Sequence, residues 1–278
     1  GVLGFPPFLF SALRQLAAGT LLVGGLVFFG KEKLPGKSAL TGQAIGGFFM
    51  ITLGNGLVGW AEVHVPSGVA AVICAMVPIW VILINLVMAK DEKPTVPIVM
   101  GLLIGLFGIA MIFGDNLGGF AVPGYAWGIV FITVANLGWA AGSIWMKRKN
   151  QSSNAFLNAG LQMFFGGLWL LPFSLAFDDL HALQWRSDVV YSLFYLIFIG
   201  SIAAYGCYSY AIKKLPLTVV TLYAYINPIV AVVLGWAILD ETLNMRVAMA
   251  IGITLSGIYI VNRGYQFRKL WKSQLSTK

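Results

Sequence analysis

Polar and aromatic side chains recur at helical spacing inside runs of the chain that are otherwise apolar. Asn136, Trp139 and Ser143 stand at i, i+3 and i+7, so one face of a helix would carry all three. Amides and phenols need hydrogen-bond partners in hydrocarbon, so such a face is predicted to turn inward, toward other helices or a polar solute. We therefore predict a substrate cavity that includes Asn55, Asn136, Trp139, Ser143, Tyr205, Tyr223 and Asn227. The alternative is ordinary hydrogen bonding between helices, with no role in substrate binding.

Arg14 is the one formal charge inside these apolar runs. A charge there costs roughly 2.5–3.5 kcal/mol on insertion scales, so the guanidinium should face protein or water and have a partner. The functional interpretation is contact with an anionic group such as a substrate carboxylate. The structural one is a bond to carbonyl groups at a helix break, or snorkelling toward an interface. Gln162 is a further cavity candidate, because it lies near the repeat equivalent of Arg14.

Two prolines, Pro78 and Pro228, stand near the middle of apolar runs. A proline inside a helix removes one backbone donor and clashes with the preceding turn, which frees carbonyl groups and kinks the helix. We predict helix breaks at both positions that shape the cavity. The alternative is a static kink whose carbonyl groups are satisfied by neighbouring helices.

The sequence offers little for covalent or nucleotide chemistry. It contains no HExxH, GxSxG or GxxxxGK[ST] motif, and His64 and His181 are isolated. Glu62 and Glu241 stand at the ends of apolar runs, where proton coupling is one interpretation and solvation or pairing with nearby Lys and Arg is the other. The chain is therefore predicted to be neither an enzyme nor an ATP-driven pump, and to hold no cofactor and no metal.

The composition points to a chain that lies in a membrane. Of its 278 residues, 59% are hydrophobic and 10% are charged, whereas a soluble domain carries about 25% charged residues. A helix needs about 20 mostly apolar residues to cross the hydrocarbon. The chain is therefore predicted to be an all-α polytopic membrane protein with nine spans: Phe8–Phe29, Leu40–Ala61, Ser67–Ala89, Val96–Gly114, Gly124–Met146, Ala155–Phe177, Val189–Ile212, Leu217–Leu239 and Met245–Arg263.

The distribution of basic residues predicts the orientation of these spans. If the segment after the first span is cytoplasmic, 15 of the 18 Lys and Arg residues lie on the cytoplasmic side, and only Arg186 and Arg246 lie outside. The positive-inside rule then supports nine crossings and a cytoplasmic C-terminus. The net charge of +8 is explained by this asymmetry, so nucleic acid is not an expected partner.

The two halves of the chain resemble each other. VPSGVAAVICAMVPIWV (Val65–Val81) aligns with LPLTVVTLYAYINPIVA (Leu215–Ala231), and Asp91-Glu92 aligns with Asp240-Glu241 on the opposite predicted side of the membrane. This pattern predicts an inverted repeat of five-helix units, an architecture common in secondary transporters. We assign the first repeat to residues 1–114, the second to 124–263 and a basic cytoplasmic tail to 264–278. The first repeat has four spans and the second has five, so we expect one more helix before Gly1 and ten in the intact protein.

The chain resembles the EamA family of the drug/metabolite transporter superfamily. The resemblance covers essentially the whole chain and is carried by Ser11–Gly19, Gly59–Trp80, Leu137–Arg148 and Tyr210–Leu243. The last stretch, with a central proline and an acidic residue ahead of a Gly-rich helix, is the most specific. The first half departs from the family pattern, with Lys90-Asp91-Glu92-Lys93 where Gly-Glu is more usual.

The resemblance implies an exporter of amino acids or similar small metabolites in a bacterial inner membrane. We expect secondary-active transport by alternating access around a central cavity between the two inverted halves. The expected partners are a small-molecule substrate and the lipid bilayer, with a coupling ion or proton and a monomeric or homodimeric state left open. The alternatives are a channel, a carrier for quaternary ammonium compounds or nucleotide sugars, and an intramembrane enzyme.

Overall fold

The computed structural model describes residues 5–88, 94–113, 124–149, 154–183, 185–239 and 244–276. Within these ranges the regular structure is helical and no strand is present. The α-helices are α1 (Pro7–Gly24), α2 (Lys37–Gly47), α3 (Leu57–Ala61), α4 (Ser67–Cys74), α5 (Val77–Met88), α6 (Val96–Phe113), α7 (Tyr125–Lys149), α8 (Ala155–Phe177), α9 (Ser187–Tyr195), α10 (Ala204–Lys214), α11 (Leu217–Thr221), α12 (Tyr223–Leu239) and α13 (Met245–Ser276).

The described residues contain nine helical segments that are long and apolar enough to cross a membrane. The predicted all-α fold with nine spans is thereby confirmed. The predicted ends are close to the observed ones; the second span, for example, runs from Lys37 to Ala61. Large apolar side chains such as Phe29, Val87 and Leu175 are exposed on these segments, as hydrocarbon contact requires. The aligned pairs Asp91-Glu92 and Asp240-Glu241 lie outside the described residues.

Among the residues that the structure describes, three spans contain π-helical segments, which widen the turn by one residue. These segments are Gly25–Phe29 after α1, Phe48–Gly56 between α2 and α3, and Leu196–Ala203 between α9 and α10. π-Helical turns are rare and often occur at functional sites. Two of the three segments lie beside residues of the candidate site, as described below.

Contacts divide the chain into two compact units. The first unit contains Gly1–Val65 and Val122–Leu217, and the second contains Pro66–Ala121 and Thr218–Lys278. Each unit therefore combines spans from both halves of the sequence. The assignment of the sequence repeats to residues 1–114 and 124–263 remains a prediction.

In the first unit, α1 packs closely against α8 because small residues line their contact. A Cβ atom on Gly19 would lie 2.5 Å from the backbone nitrogen of Phe164 and 2.7 Å from the carbonyl oxygen of Gly160. A Cβ atom on Gly167 would lie 2.9 Å from the backbone nitrogen of Leu16. These distances leave no room for a larger residue, so the helix backbones are in direct contact.

The N-terminus of α1 is held by an acidic side chain from the end of α8. The Asp178 carboxylate accepts hydrogen bonds from the backbone N–H groups of Phe8 at 3.3 Å and Leu9 at 2.8 Å. A carboxylate there satisfies donors that the helix itself leaves unpaired, and it complements the positive end of the helix dipole. The bond thus joins two spans at one end of the unit.

In the second unit, α6 packs against α13 through glycines on both helices. A Cβ atom on Gly257 would lie 2.5 Å from the carbonyl oxygen of Gly101 and 2.5 Å from the backbone nitrogen of Gly105. Tyr225 of α12 is fully buried against Gly105, and its hydroxyl donates to the carbonyl oxygen of Leu102 at 2.9 Å. The second unit therefore has its own core, built around this tyrosine.

Candidate functional site

The predicted cavity residues fall in both compact units. Those in the first unit are Arg14, Asn55, Asn136, Trp139, Ser143, Gln162 and Tyr205, and those in the second are Tyr223 and Asn227, together with the two prolines Pro78 and Pro228. Within the first unit the structure brings the half-buried Trp139 together with the buried Ser143, Gln162 and Tyr205 in one cluster.

The first part of this cluster is a closed circuit of hydrogen bonds between α7 and α10. The indole Nε1–H of Trp139 donates to the hydroxyl of Tyr208 at 3.0 Å. The Ser143 hydroxyl lies 2.6 Å from the carbonyl oxygen of Trp139 and 2.8 Å from the Tyr208 hydroxyl. A carbonyl oxygen can only accept, so Ser143 donates to it, and Tyr208 must then donate to Ser143. Each hydroxyl in the circuit therefore both donates and accepts.

The second part is a chain of amide groups that ends on a tyrosine hydroxyl. Tyr205 donates to Oε1 of Gln162 at 2.6 Å, and Nε2 of Gln162 donates to Oε1 of Gln43 at 2.6 Å. Nε2 of Gln43 then donates to Oδ1 of Asn158 at 3.0 Å. Gln162 and Gln43 are 0% and 1% exposed, so these bonds replace the water that neither side chain can reach.

Helical spacing aligns the members of both parts. Trp139 and Ser143 are four residues apart on α7, and Asn158 and Gln162 are four apart on α8, so each pair lies on one helix face. Tyr205 and Tyr208 are three apart at the start of α10. The prediction that Trp139 and Ser143 share a face therefore agrees with their common partner, Tyr208.

Three aromatic rings join the circuit to the amide chain. The ring centroids of Trp139 and Tyr208 are 5.3 Å apart, those of Trp139 and Tyr205 are 6.0 Å apart, and those of Tyr205 and Tyr208 are 6.3 Å apart. The Tyr205 hydroxyl also lies 3.5 Å from Sδ of Met50, which belongs to the π-helical segment Phe48–Gly56. Gly54 of the same segment admits the Trp139 ring, because a Cβ atom there would lie 2.8 Å from Cε3.

Sequence reasoning missed several members of this cluster. Gln43, Asn158 and Met50 were not among the predicted cavity residues, although two of them are amides within spans. The signal was present, because a buried amide in hydrocarbon must find a partner on another helix. What the sequence lacked was the identity of that partner, since Gln43 and Gln162 are 119 residues apart.

Arg14 lies on α1 in the first unit. Its Nε atom is buried and has no hydrogen-bond partner among the described residues, and the same is true of Oε1 of the adjacent Gln15. The opposite charge that acts on the guanidinium is the carboxylate of Glu62, which directly follows α3. The Glu62 side chain is exposed at the end of its span, yet the surrounding protein raises the pKa of its carboxyl, and the Arg14 charge acts in the opposite direction.

The remaining predicted residues differ in their burial. Asn136 is buried on α7, one turn before Trp139, and Asn55 is half-buried in Phe48–Gly56. In the second unit, Tyr223 is half-buried and Asn227 is exposed on α12. For these four residues, a place in a substrate cavity remains a prediction.

The two prolines lie in different local settings. Pro78 is buried at the second position of α5, directly after an interruption at Ala75 and Met76 that separates α4 from α5. Pro228 lies inside α12, which continues through it, and the interruption in that span falls at Leu222. Both spans are therefore interrupted directly before the helix that holds the proline, but Pro78 is the second residue of α5 whereas Pro228 lies well inside α12. That either proline shapes a cavity remains a prediction.

The described part of the chain has nine apolar helical segments of spanning length, and one set of them encloses a hydrogen-bonded polar core, which defines a polytopic helical membrane protein. The chain belongs to the EamA-like transporter family, which it matches over residues 1–114 and 126–263. This membership confirms the resemblance found in the sequence. The chain is therefore a membrane transporter and not an enzyme.

Individual relatives agree with this assignment, and a solved structure shares the fold. The chain is 33% identical over 265 residues to a protein of Escherichia coli K12 named "Uncharacterized inner membrane transporter YedA". The aligned residues cover 95% of this chain and 84% of that protein. It is 24% identical to the "Uncharacterized transporter YoaV" of Bacillus subtilis, over 97% of this chain and 92% of that one. A crystal structure covers 92% of this chain and 88% of its own at a TM-score of 0.75 and 16% identity, which supports the fold alone.

Proposed function

We propose that the protein is a secondary-active exporter of amino acids or similar small metabolites in a bacterial inner membrane. It works by alternating access around a central cavity between its two inverted halves. The observation that supports this proposal is a largely buried, hydrogen-bonded cluster inside membrane spans, formed by Trp139, Tyr205, Tyr208, Ser143 and Gln162.

The chemistry of the cluster suits a small amphoteric solute. An amino acid carries an ammonium group, which aromatic faces attract, and a carboxylate, which hydroxyl and amide N–H groups can solvate. The circuit through Trp139, Tyr208 and Ser143 satisfies its own donors and acceptors when no solute is present. Exchange of these internal bonds for bonds to a solute costs little, because neither state leaves a polar group unpaired.

Arg14 supplies the cationic element of the proposal. A guanidinium pairs with a carboxylate through charge-assisted and often bidentate hydrogen bonds. The buried Nε atom of Arg14 has no partner among the described residues, and a substrate carboxylate is an acceptor that would satisfy it. Glu62 competes for the same charge, so a proton on Glu62 favours substrate binding at Arg14.

Energy for export comes from a gradient of substrate or of a coupling ion. The sequence has no GxxxxGK[ST] motif for nucleotide binding. An exchange carrier and a channel then differ in one measurable property. Only the carrier accelerates uptake of labelled solute when unlabelled solute is present on the other side.

The experiment is counterflow in proteoliposomes that contain the purified protein, with labelled amino acids and with choline as a quaternary ammonium probe. We expect saturable counterflow of an amino acid. Trp139→Ala should reduce that flux, whereas Trp127→Ala, on the same helix but 64% exposed, should leave it unchanged. Wild-type flux in Trp139→Ala would show that the aromatic cluster takes no part in transport. Uptake of choline alone would redirect the proposal to quaternary ammonium compounds.

A second comparison tests Arg14. Arg14→Leu should lower transport of an amino acid more than transport of its methyl ester, which has no carboxylate. Arg186→Leu is the control, because Arg186 is exposed and already pairs with Asp188 at 3.1 Å. An equal loss for the acid and the ester in Arg14→Leu would assign the residue a structural role.

A further inference from the structure

The buried amide chain fixes the direction of the hydrogen bond that Tyr205 makes. Nε2 of Gln162 donates to Gln43 at 2.6 Å, so the other end of the same amide group, Oε1, faces Tyr205. A carbonyl oxygen can only accept, so the Tyr205 hydroxyl donates its single proton to Gln162. Their separation of 2.6 Å is typical of an O–H···O bond. The tyrosine oxygen is thereby left with acceptor capacity alone.

The order of donors continues beyond Gln162. Oε1 of Gln43 accepts from Gln162, and Nε2 of Gln43 donates to Oδ1 of Asn158. Rotation of either glutamine amide alone by 180° would set oxygen against oxygen, because neither oxygen has a proton to donate. All three amide side chains are at most 1% exposed, so water cannot compensate for such a mismatch. The chain from Asn158 to Gln162 therefore holds Tyr205 in the role of a donor to Gln162.

The hydrogen-bonded circuit of Trp139 uses its protons in the same way. The indole of Trp139 donates to Tyr208, Tyr208 donates to Ser143, and Ser143 donates to the carbonyl oxygen of Trp139. Together with Tyr205, these side chains give every N–H and O–H proton to a partner inside the cluster. Without the loss of one of these bonds, the cluster offers a solute oxygen lone pairs and aromatic faces, both of which attract a cation. The ammonium end of an amphoteric solute therefore suits the cluster better than its carboxylate end.

Two methionines cover the Tyr205 hydroxyl in this structure. Its oxygen lies 3.5 Å from Sδ of Met50 and 3.9 Å from Sδ of Met146. Methionine side chains are unbranched and flexible, and thioether sulfur is a weak hydrogen-bond partner, so a solute displaces them at low cost. Trp139 is half-buried, and its ring centroid lies 6.0 Å from that of Tyr205. As the most exposed member of the cluster, Trp139 marks the side from which a solute arrives.

We propose that the cluster binds the ammonium group of the solute, and that Tyr205 selects an ammonium group with N–H bonds over a quaternary one. This inference rests on the proposed function, since it names the chemical group that the proposed site recognises. Aromatic faces attract both kinds of cation, whereas the Tyr205 oxygen accepts a hydrogen bond only from an N–H group. Gln162 is a positioning residue, because it takes the hydroxyl proton and leaves that oxygen to the solute.

Competition in the counterflow assay tests this selection. The probes are the common amino acids in labelled form, each competed by its own unlabelled form and by its N-trimethyl derivative. The measured quantity is the ratio of the two inhibition constants, which does not depend on the amount of folded protein. Tyr205→Phe should lower the preference for the primary ammonium group about tenfold, the effect of one lost hydrogen bond to a charged group. Gln162→Leu should lower it less, about threefold, because the hydroxyl then keeps only weak thioether acceptors.

Two further variants separate positioning from folding. Gln162→Glu keeps an acceptor oxygen for Tyr205 and should preserve the ratio. Thr52→Val removes a different buried bond between spans, from the Thr52 hydroxyl to the carbonyl oxygen of Gly166 at 3.0 Å, and should also preserve the ratio. An unchanged ratio in Tyr205→Phe would overturn the proposal, since any selection would then depend on size alone. Equal falls in Gln162→Leu and Thr52→Val would overturn the positioning role of Gln162.

The assay also distinguishes this inference from the proposed function. Equal inhibition by the primary and the trimethylated competitors, with amino acid counterflow intact, would refute the selection by Tyr205 and leave the exporter standing. An absence of counterflow for every common amino acid would contradict the proposed function, and this inference with it.

Discussion

Replacement of Gln162 by leucine tests the buried amide chain most directly. The side chain is 0% exposed, its Oε1 accepts from Tyr205 at 2.6 Å, and its Nε2 donates to Gln43 at 2.6 Å. Leucine removes both bonds and is close to glutamine in size. Hydrogen bonds between membrane helices contribute about 0.6 kcal/mol on average and at most about 1.7 kcal/mol. Two bonds therefore predict a loss of roughly 1–3 kcal/mol in the free energy of unfolding.

The structure favours the middle of that range. After the substitution, the Tyr205 hydroxyl can still donate to the sulfur atoms of Met50 at 3.5 Å and Met146 at 3.9 Å. Thioether sulfur is a weak acceptor, so it compensates only in part. Tyr205→Phe removes one of the two bonds, and should therefore cost about half as much as Gln162→Leu.

The assay is reversible unfolding of the purified protein in mixed micelles, with an increasing fraction of denaturing detergent. Gln266→Leu is the control, since it makes the same change at an exposed glutamine of α13 and should alter stability by less than about 0.5 kcal/mol. The double variant of Gln162→Leu and Tyr205→Phe should lose less than the sum of the single losses, because one bond is common to both. Wild-type stability in Gln162→Leu, or an equal loss in the control, would refute the role assigned to the chain of amides.

Three further predictions concern packing, capping and orientation. Gly257→Ala should lower the free energy of unfolding by about 1–3 kcal/mol, because its Cβ would lie 2.5 Å from backbone atoms of α6. Gly252→Ala on the same helix should not, because a Cβ atom there has nothing within 4 Å. Detergent-induced unfolding of both variants measures the difference. Asp178→Ala should cost about 0.5–2 kcal/mol by removing the acceptor of two amide groups at the start of α1, and faster hydrogen exchange at those amides would report the loss. Single cysteines at Lys90 and Glu241, in a background without native cysteines, should react with an impermeant reagent from opposite sides of the membrane; labelling from one side only contradicts the inverted repeat.

The spans were predictable because the signal for them is local. A window of about 20 apolar residues crosses hydrocarbon whatever its neighbours are, and charged segments such as Lys147–Lys149 mark where a span ends. The family was recognisable for a related reason, since its motifs are short and contiguous. The interruption at Leu222 was harder to predict from sequence, because the nearby Pro228 is a stronger sequence signal for a helix break than the residues of the turn.

The candidate site was predictable in part. The spacing of Trp139 and Ser143 correctly indicated that they share a helix face, and both contact Tyr208. Tyr205 and Gln162 were named separately, with no indication that they bond to each other. Gln43 and Asn158 were missed, although they complete the same chain.

The amino-acid sequence alone determined that this protein is helical, crosses a membrane and belongs to a family of transporters, because hydropathy, charge asymmetry and motifs are properties of short stretches of chain. Only the tertiary structure decided which polar groups meet inside the bilayer. A buried amide must have a partner, but which partner it finds depends on the helices that pack against it. That packing is decided by glycines such as Gly19 and Gly160, whose bare backbones let α1 and α8 touch. Partner choice is therefore a property of the assembled helices, which no single segment encodes.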